Sequence, residues 1–160
     1  MKKMILCPTR GGKASYPNQD YTIDLAKERG QDLLFLYVTN VQFLGLTALP
    51  KVIDIEAELE EMGDFLLAMA QERAQNAGVK ASTTVRSGVF QKVLKEVLRE
   101  YPIDTIVIGT SSQSTGVVTS DFVKKLAEEV SRESGVEFIV LYEGEVVDTH
   151  HSHAESRQTE

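Results

Sequence analysis

Short apolar runs alternate along the chain with longer segments in which apolar residues recur every three or four positions. The short runs predict strands, and Leu33–Val38 is continuously apolar, which is typical of a parallel strand covered on both faces. The five predicted strands are Met4–Cys7, Leu33–Val38, Val79–Arg86, Thr105–Ile108 and Val136–Tyr142.

The segments between these runs have helical periodicity. Glycine or proline stands where each predicted helix ends. The predicted helices cover Tyr21–Arg29, Ile53–Ala77, Val89–Tyr101 and Asp121–Glu133. From Glu143 onward the chain is polar and aperiodic, which predicts one domain over residues 1–142 and a disordered tail over 143–160.

Alternation of strands and helices predicts an α/β fold with one parallel sheet and helices on both faces. Ligands in such sheets bind at the carboxyl ends of the strands. The loops Thr9–Asn18 and Gly109–Ser120 follow the first and fourth strands, so we expect them to form two walls of one crevice.

The loop Gly109–Ser120 consists mainly of Ser, Thr, Gln and Gly, and a helix is predicted to begin at Ser120–Asp121. Glycine allows close approach of the backbone, hydroxyls donate hydrogen bonds, and free N–H groups at a helix start favour anions. Neither the phosphate-loop pattern nor the dinucleotide fingerprint is present. Two interpretations remain open: an anion site, or a solvated crossover with Ser120 as helix N-cap.

Charge and composition narrow the class of partner. The net charge of −7 argues against a nucleic-acid-binding surface. A single cysteine, Cys7, excludes an internal disulfide and fits a reducing cytoplasm. No apolar run approaches the roughly 18 residues of a membrane span or the about 7–15 of a secretory core. We therefore expect a cytoplasmic protein with neither membrane nor nucleic-acid partners.

The sequence offers little catalytic chemistry. No histidine lies within residues 1–142, so neither a Cys–His nor a Ser–His pair is available there. Cys7, inside a predicted strand, is interpreted as a small core residue. The tail histidines and the acidic run Glu56–Asp64 are candidate metal ligands, but a solvated surface is the simpler interpretation of both. The histidines are His150, His151 and His153. We assign no catalytic residue and no metal site, and predict that the chain is not an enzyme.

Four ordered segments resemble the universal stress protein family: Lys3–Thr9, Asp24–Val38, Val85–Thr110 and Ala127–Leu141. The resemblance spans residues 2–142 and depends on the ordered set rather than on one motif. It implies a five-stranded sheet of order 3-2-1-4-5, similar to the adenine-nucleotide alpha-hydrolases. It also implies a homodimer paired through Val136–Tyr142, which would cover an apolar sheet edge.

The ATP-binding branch of that family carries Gly-x-x-Gly and, further on, Gly-Ser or Gly-Thr after the fourth strand. Here Ser112 stands at the second glycine, and Val117 follows Gly116 where the family has a hydroxyl residue. Arg10 stands where the family has an aspartate after the first strand. A side chain at a phosphate turn hinders close approach, so we expect weak or absent binding of ATP with magnesium.

The resemblance places the candidate binding site at the ends of the first, second and fourth strands. Its residues are Pro8, Thr9, Arg10, Val38, Gly109, Thr110, Ser111, Ser112, Gly116, Thr119 and Ser120. The leading hypothesis is a dimeric regulatory or binding module in the stress response, without a catalytic cycle. The alternatives are a divergent ATP- or AMP-binding member with slow hydrolysis, and a sensor of another anion or of a transporter partner.

Overall fold

A computed structural model describes residues 2–39, 50–110 and 117–151, with side chains except at 50–56 and 117–120. Its strands are β1 Met4–Pro8, β2 Asp32–Thr39, β3 Ala81–Ser87, β4 Ile103–Gly109, β5 Glu137–Tyr142 and β6 Glu145–His150. Its α-helices are α1 Tyr16–Arg29, α2 Pro50–Asn76, α3 Phe90–Glu100 and α4 Val117–Ser134, and a 3-10 turn at Lys13–Ser15 precedes α1.

The strands form one sheet in the order β3-β2-β1-β4-β5-β6. The first five are parallel to one another, and β6 runs antiparallel to β5. The predicted α/β fold and the order 3-2-1-4-5 are confirmed, but the predicted count of five strands is wrong.

Two apolar clusters cover the two faces of the sheet. One lies between the sheet and α1 and α2, and it includes Ile23, Leu67 and the buried Cys7. The other lies between the sheet and α3 and α4, and it includes Leu94 and Leu126. Both faces of β1, β2, β4 and β5 are therefore mostly buried, which explains the apolar runs in their sequences, whereas the edge strand β3 is largely polar and only partly buried.

β6 corrects the prediction of a disordered tail at residues 145–150. The turn before it contains Glu143 at φ 49° and Gly144 at φ 85°, the conformation of a tight hairpin turn. The strand is exposed on both faces along most of its length, with Val146 44% and Val147 41% exposed. A strand with no buried face needs no alternating pattern, so periodicity could not reveal it. Residues 152–160, which include His153, lie outside the described residues.

The position of β6 bears on the predicted dimer contact. β5 is hydrogen-bonded to β4 on one side and to β6 on the other. The edge assigned to pairing with a second copy is therefore covered by the chain itself.

Two helices begin earlier than the sequence predicted. α1 begins at Tyr16 because Pro17, which has the fixed φ of a first helical turn, lies inside it rather than in a loop. α4 begins at Val117, four residues before the predicted start at Asp121. Ser120 therefore lies in the first turn of α4, and the interpretation of Ser120 as the helix N-cap is wrong.

Within the described parts of the chain, no helix combines the length and apolar character needed to cross a membrane.

Candidate ligand-binding crevice

The candidate crevice is the carboxyl edge of the sheet, where β1, β2 and β4 end. Main-chain hydrogen bonds continue just beyond the strands: Thr9 N donates to Leu36 O at 2.9 Å, and Thr110 N donates to Leu141 O at 2.8 Å. These bonds fix the starts of the two loops that were predicted to form its walls. The topology thus brings Pro8, Thr9, Arg10, Val38, Gly109 and Thr110 to one edge of the sheet.

The first wall is organised around the hydroxyl of Thr9. Its Oγ1 accepts hydrogen bonds from Gly11 N and from Gln19 Nε2, both at 3.1 Å. Gln19 is 1% exposed, and its Oε1 has no hydrogen-bond partner among the described residues. A buried carbonyl oxygen of this kind is an acceptor whose hydrogen-bonding capacity is not used by the described residues.

Gly11 ties this wall to α2. It has φ +81°, a conformation that favours glycine, and a methyl group added to it would lie 2.5 Å from Leu66 Cβ. The loop after β1 is therefore held directly under α2.

The second wall begins at Gly109, which packs against Asn18 near the start of α1. A methyl group added to Gly109 would lie 2.4 Å from Asn18 Nδ2. The same carboxamide accepts a hydrogen bond through Oδ1 from Gly144 N at 2.8 Å. One side chain thus joins the end of β4, the start of α1 and the β5–β6 turn, and it occupies space beside the glycine that was expected to face a ligand.

Asn18 was missed as a site residue by sequence reasoning. It closes the predicted loop Thr9–Asn18, but both of its partners, Gly109 and Gly144, are distant in sequence. The one signal was an amide next to Pro17 at a loop-to-helix junction, where Asn commonly binds nearby backbone groups.

Two threonine hydroxyls add unpaired polar atoms at the same edge. Thr110 Oγ1 and Thr39 Oγ1 are buried and have no hydrogen-bond partner among the described residues. Thr110 follows β4, while Thr39 ends β2 beside Ser87 of β3. A hydroxyl both donates and accepts, so each of these atoms keeps unused hydrogen-bonding capacity within the described structure.

The remaining candidates contribute differently. Arg10 is exposed and forms no ion pair with a described residue, so its guanidinium is available to attract an anion. Val38 is half-buried and packs on the α3–α4 side. Ser111, Ser112 and Gly116 lie outside the described residues, and Thr119 and Ser120 are described by their backbone alone. Their role in binding stays a prediction.

Cys7 lies just before the crevice but faces the core. It is a free thiol, 3% exposed, and Sγ donates a long hydrogen bond to Thr22 Oγ1 at 3.7 Å. Burial raises the pKa of the thiol to about 12, and the contact with Thr22 offsets only part of this shift. Such a thiol is protonated at neutral pH and is a poor nucleophile.

No group of three potential metal ligands converges within residues 2–39, 50–110 and 117–151. The described carboxylates of the acidic run, including Glu58, Glu61 and Asp64, are exposed along α2. His150 pairs with Asp148 through Nε2 and Oδ2 at 2.8 Å.

The sequence matches the model of the universal stress protein family over residues 1–140. A universal stress protein of Methanocaldococcus jannaschii is 31% identical over 113 residues. That alignment covers 70% of this chain and 66% of the relative, slightly less than two thirds of its length.

Solved structures of similar proteins share the fold. A universal stress family protein from Burkholderia pseudomallei has a TM-score of 0.65 and 20% identity, covering 87% of this chain and 95% of that one. A universal stress protein in complex with cAMP has a TM-score of 0.59 and 19% identity, covering 88% and 97%. A family member from Arabidopsis thaliana with AMP bound has a TM-score of 0.57 and 18% identity, covering 88% and 91%.

Proposed function

We propose that this chain, which belongs to the universal stress protein family, is a cytoplasmic regulatory module that binds adenine nucleotides weakly and has no catalytic cycle. The ligand would occupy the crevice between the loop after β1 and the loop after β4. The chain's regulatory output would depend on binding rather than on turnover.

The position of the Asn18 carboxamide carries the proposal of weak binding. A ligand that approaches Gly109 must displace Nδ2 and break the hydrogen bond from Gly144 N to Oδ1. Loss of such a hydrogen bond costs about 1 kcal/mol, which reduces affinity by roughly fivefold to tenfold before any steric term is added. Arg10, in place of an acidic residue, gives the opposite wall a cation that can attract phosphate.

The choice of ligand class is supported by chemistry and by fold relatives. Gln19 Oε1 and Thr110 Oγ1 have no hydrogen-bond partner within the part of the chain that the structure describes, and they suit the hydroxyl and amino donors of a nucleoside. Two relatives of the same fold were solved with cAMP and with AMP. The described crevice residues supply hydroxyls, amides and a guanidinium, and none of these groups is a general base at neutral pH.

The experiment has two stages. Freshly purified protein is denatured and the supernatant is assayed for nucleotide; then MgATP, AMP and cAMP are titrated by calorimetry. We expect no retained nucleotide and dissociation constants of about 1 mM or weaker. Tight binding of MgATP, or ATP turnover that Gly109→Val abolishes, would contradict the proposal.

Asn18→Ala provides the sharpest variant of this test. Removing the carboxamide clears the space beside Gly109, so we expect nucleotide affinity to rise about tenfold, as measured by calorimetry. Asn76→Ala, at the far end of α2, is the matched control and should leave affinity unchanged. Equal affinity of all three proteins would mean that Asn18 does not restrict the crevice.

We further propose that the chain forms its homodimer through the sheet edge only when β6 leaves that edge. β6 carries the exposed carboxylates Glu145 and Asp148, and its pairing with β5 is irregular between Val140 and Leu141. Charges and bulges are the features by which edge strands resist pairing with other chains.

Gly144→Val tests this second proposal. Gly144 has φ +85°, and a methyl group there would lie 3.1 Å from Pro17 Cβ and 3.2 Å from Pro17 O, so the turn cannot close unchanged. We expect the variant to expose β5 and to sediment as a dimer, while the unchanged chain sediments as a monomer. Gly30→Val is the control for backbone strain, because Gly30 has φ +66° but no atom lies within 4 Å of a methyl group added there. A dimer of the unchanged chain would overturn the proposal.

A further inference from the structure

Large apolar side chains are exposed on α2, away from the face that packs on the sheet. Met62 is 51% exposed and Phe65 is 65% exposed. Met69, half-buried, lies one helical turn beyond Phe65 on the same side, since residues three and four apart are neighbours on a helix surface. We call this set of three side chains, Met62, Phe65 and Met69, the α2 stripe.

The rotation of α2 that exposes this stripe is fixed by close packing on the opposite side. A methyl group added to Gly63 would lie 2.7 Å from Tyr37 Cδ1, so the backbone of α2 sits directly on that ring. Leu67 and Ala70 continue the contact and are buried. The helix therefore cannot turn Phe65 inward without losing the packing at Gly63.

Carboxylates surround the stripe. Glu61 lies one turn before Phe65, and Glu58 and Glu72 lie two turns before and after it, all on the same side of the helix. All three are exposed, and none forms an ion pair with a described residue. The result is an apolar centre with an acidic rim, the usual composition of a protein-binding surface with a charged border.

We propose that the α2 stripe is the docking surface for a protein partner that presents a helix with apolar residues flanked by lysine or arginine. The methionine side chains can adapt to the shape of the partner, and the phenylalanine ring fills the apolar contact. The carboxylates around the stripe favour a partner with basic residues at the border of the contact. A second copy of this chain is disfavoured, because it would bring Glu58, Glu61 and Glu72 near their equivalents and each copy carries a net charge of −7. This inference is independent of nucleotide binding.

The test uses the full chain and a fluorescently labelled amphipathic helical peptide of leucine and lysine. A leucine–glutamate peptide of the same pattern is the negative probe. We expect the lysine peptide to bind, and the double variant Met62→Ser, Phe65→Ser to weaken binding about tenfold or more in an anisotropy titration. The glutamate peptide should show no binding.

The matched control removes two other exposed apolar side chains, by Val146→Ser with Val147→Ser on β6. It should bind the lysine peptide as tightly as the unchanged chain, and denaturation midpoints would establish that both variants are folded. If both double variants bind equally well, the attraction is merely that of an acidic protein, and the proposal fails. It also fails if the chain self-associates and the stripe variant, but not the valine variant, abolishes that association.

Discussion

Substitution of Gly11 by alanine is expected to lower the free energy of unfolding by about 3 kcal/mol. The added methyl group would lie 2.5 Å from Leu66 Cβ, a distance that requires the backbone of the loop or of α2 to move. Alanine at φ +81° adds strain of roughly 1–2 kcal/mol, and overpacking adds about 1–3 kcal/mol. Urea denaturation followed by circular dichroism measures the loss.

Gly30→Ala separates the two contributions. Gly30 has φ +66°, as unfavourable for alanine as Gly11, but nothing lies within 4 Å of its added methyl. We expect it to lose only the strain, about 1 kcal/mol. Equal losses in the two variants would show that α2 does not press on the loop after β1, and the described first wall of the crevice would be wrong.

The second large effect is expected in the reaction of the Cys7 thiol with labelling reagents, which should be very slow in the folded protein. Because burial raises the pKa of this thiol from 9.0 to about 12, its thiolate fraction at pH 8 falls by about a thousandfold. We expect a thiol reagent to label the native protein about a thousandfold more slowly than protein unfolded in guanidinium. Labelling at equal rates would show that Cys7 is accessible and would remove the basis for assigning it to the core.

The same shift fixes the sign of a pH effect on stability. The folded state holds the proton more tightly than the unfolded state, so this stabilisation is complete below pH 9 and is lost as the pH rises towards 12. The loss should reach about 1.4 kcal/mol per pH unit in that window. Cys7→Ala is the control, because it lacks this contribution but keeps every other titrating group.

Much of the fold could be predicted because its determinants are local. Runs such as Leu33–Val38 are apolar since the strands they form are covered on both faces, and the helices between them carry their own periodicity. Parallel strands must be joined by crossover connections, so the alternation of strands and helices along the sequence predicts the α/β architecture. The strand order came from the resemblance rather than from the residues.

The features that the sequence did not predict are either exposed to solvent or depend on contacts between residues far apart along the chain. β6 has no buried face, so its sequence carries no periodic signal, and its turn depends on Glu143 adopting a positive φ. The contact of Asn18 with Gly144 joins α1 to the last hairpin, and the local sequence hints only at an amide at a loop-to-helix junction, not at its distant partner. Topology places the candidate site at the carboxyl edge of the sheet, but the contact of Asn18 with Gly109 could be seen only in the structure.

The pairing of β1 with β4 has a consequence for the order in which the molecule folds. β1, β2 and β3 all precede Gly88, and β4, β5 and β6 all follow it, so each half of the sheet is contiguous in sequence. The two halves meet where β1 pairs with β4, a junction called the seam, in which Met4 lies opposite Ile103. Among the parallel strand pairs, this pair is separated by the longest stretch of chain. Loop-closure entropy grows with that length, which favours assembly of each three-stranded half before the seam forms. The candidate crevice spans this seam, so the edge that forms it would be completed only in the last stage of folding.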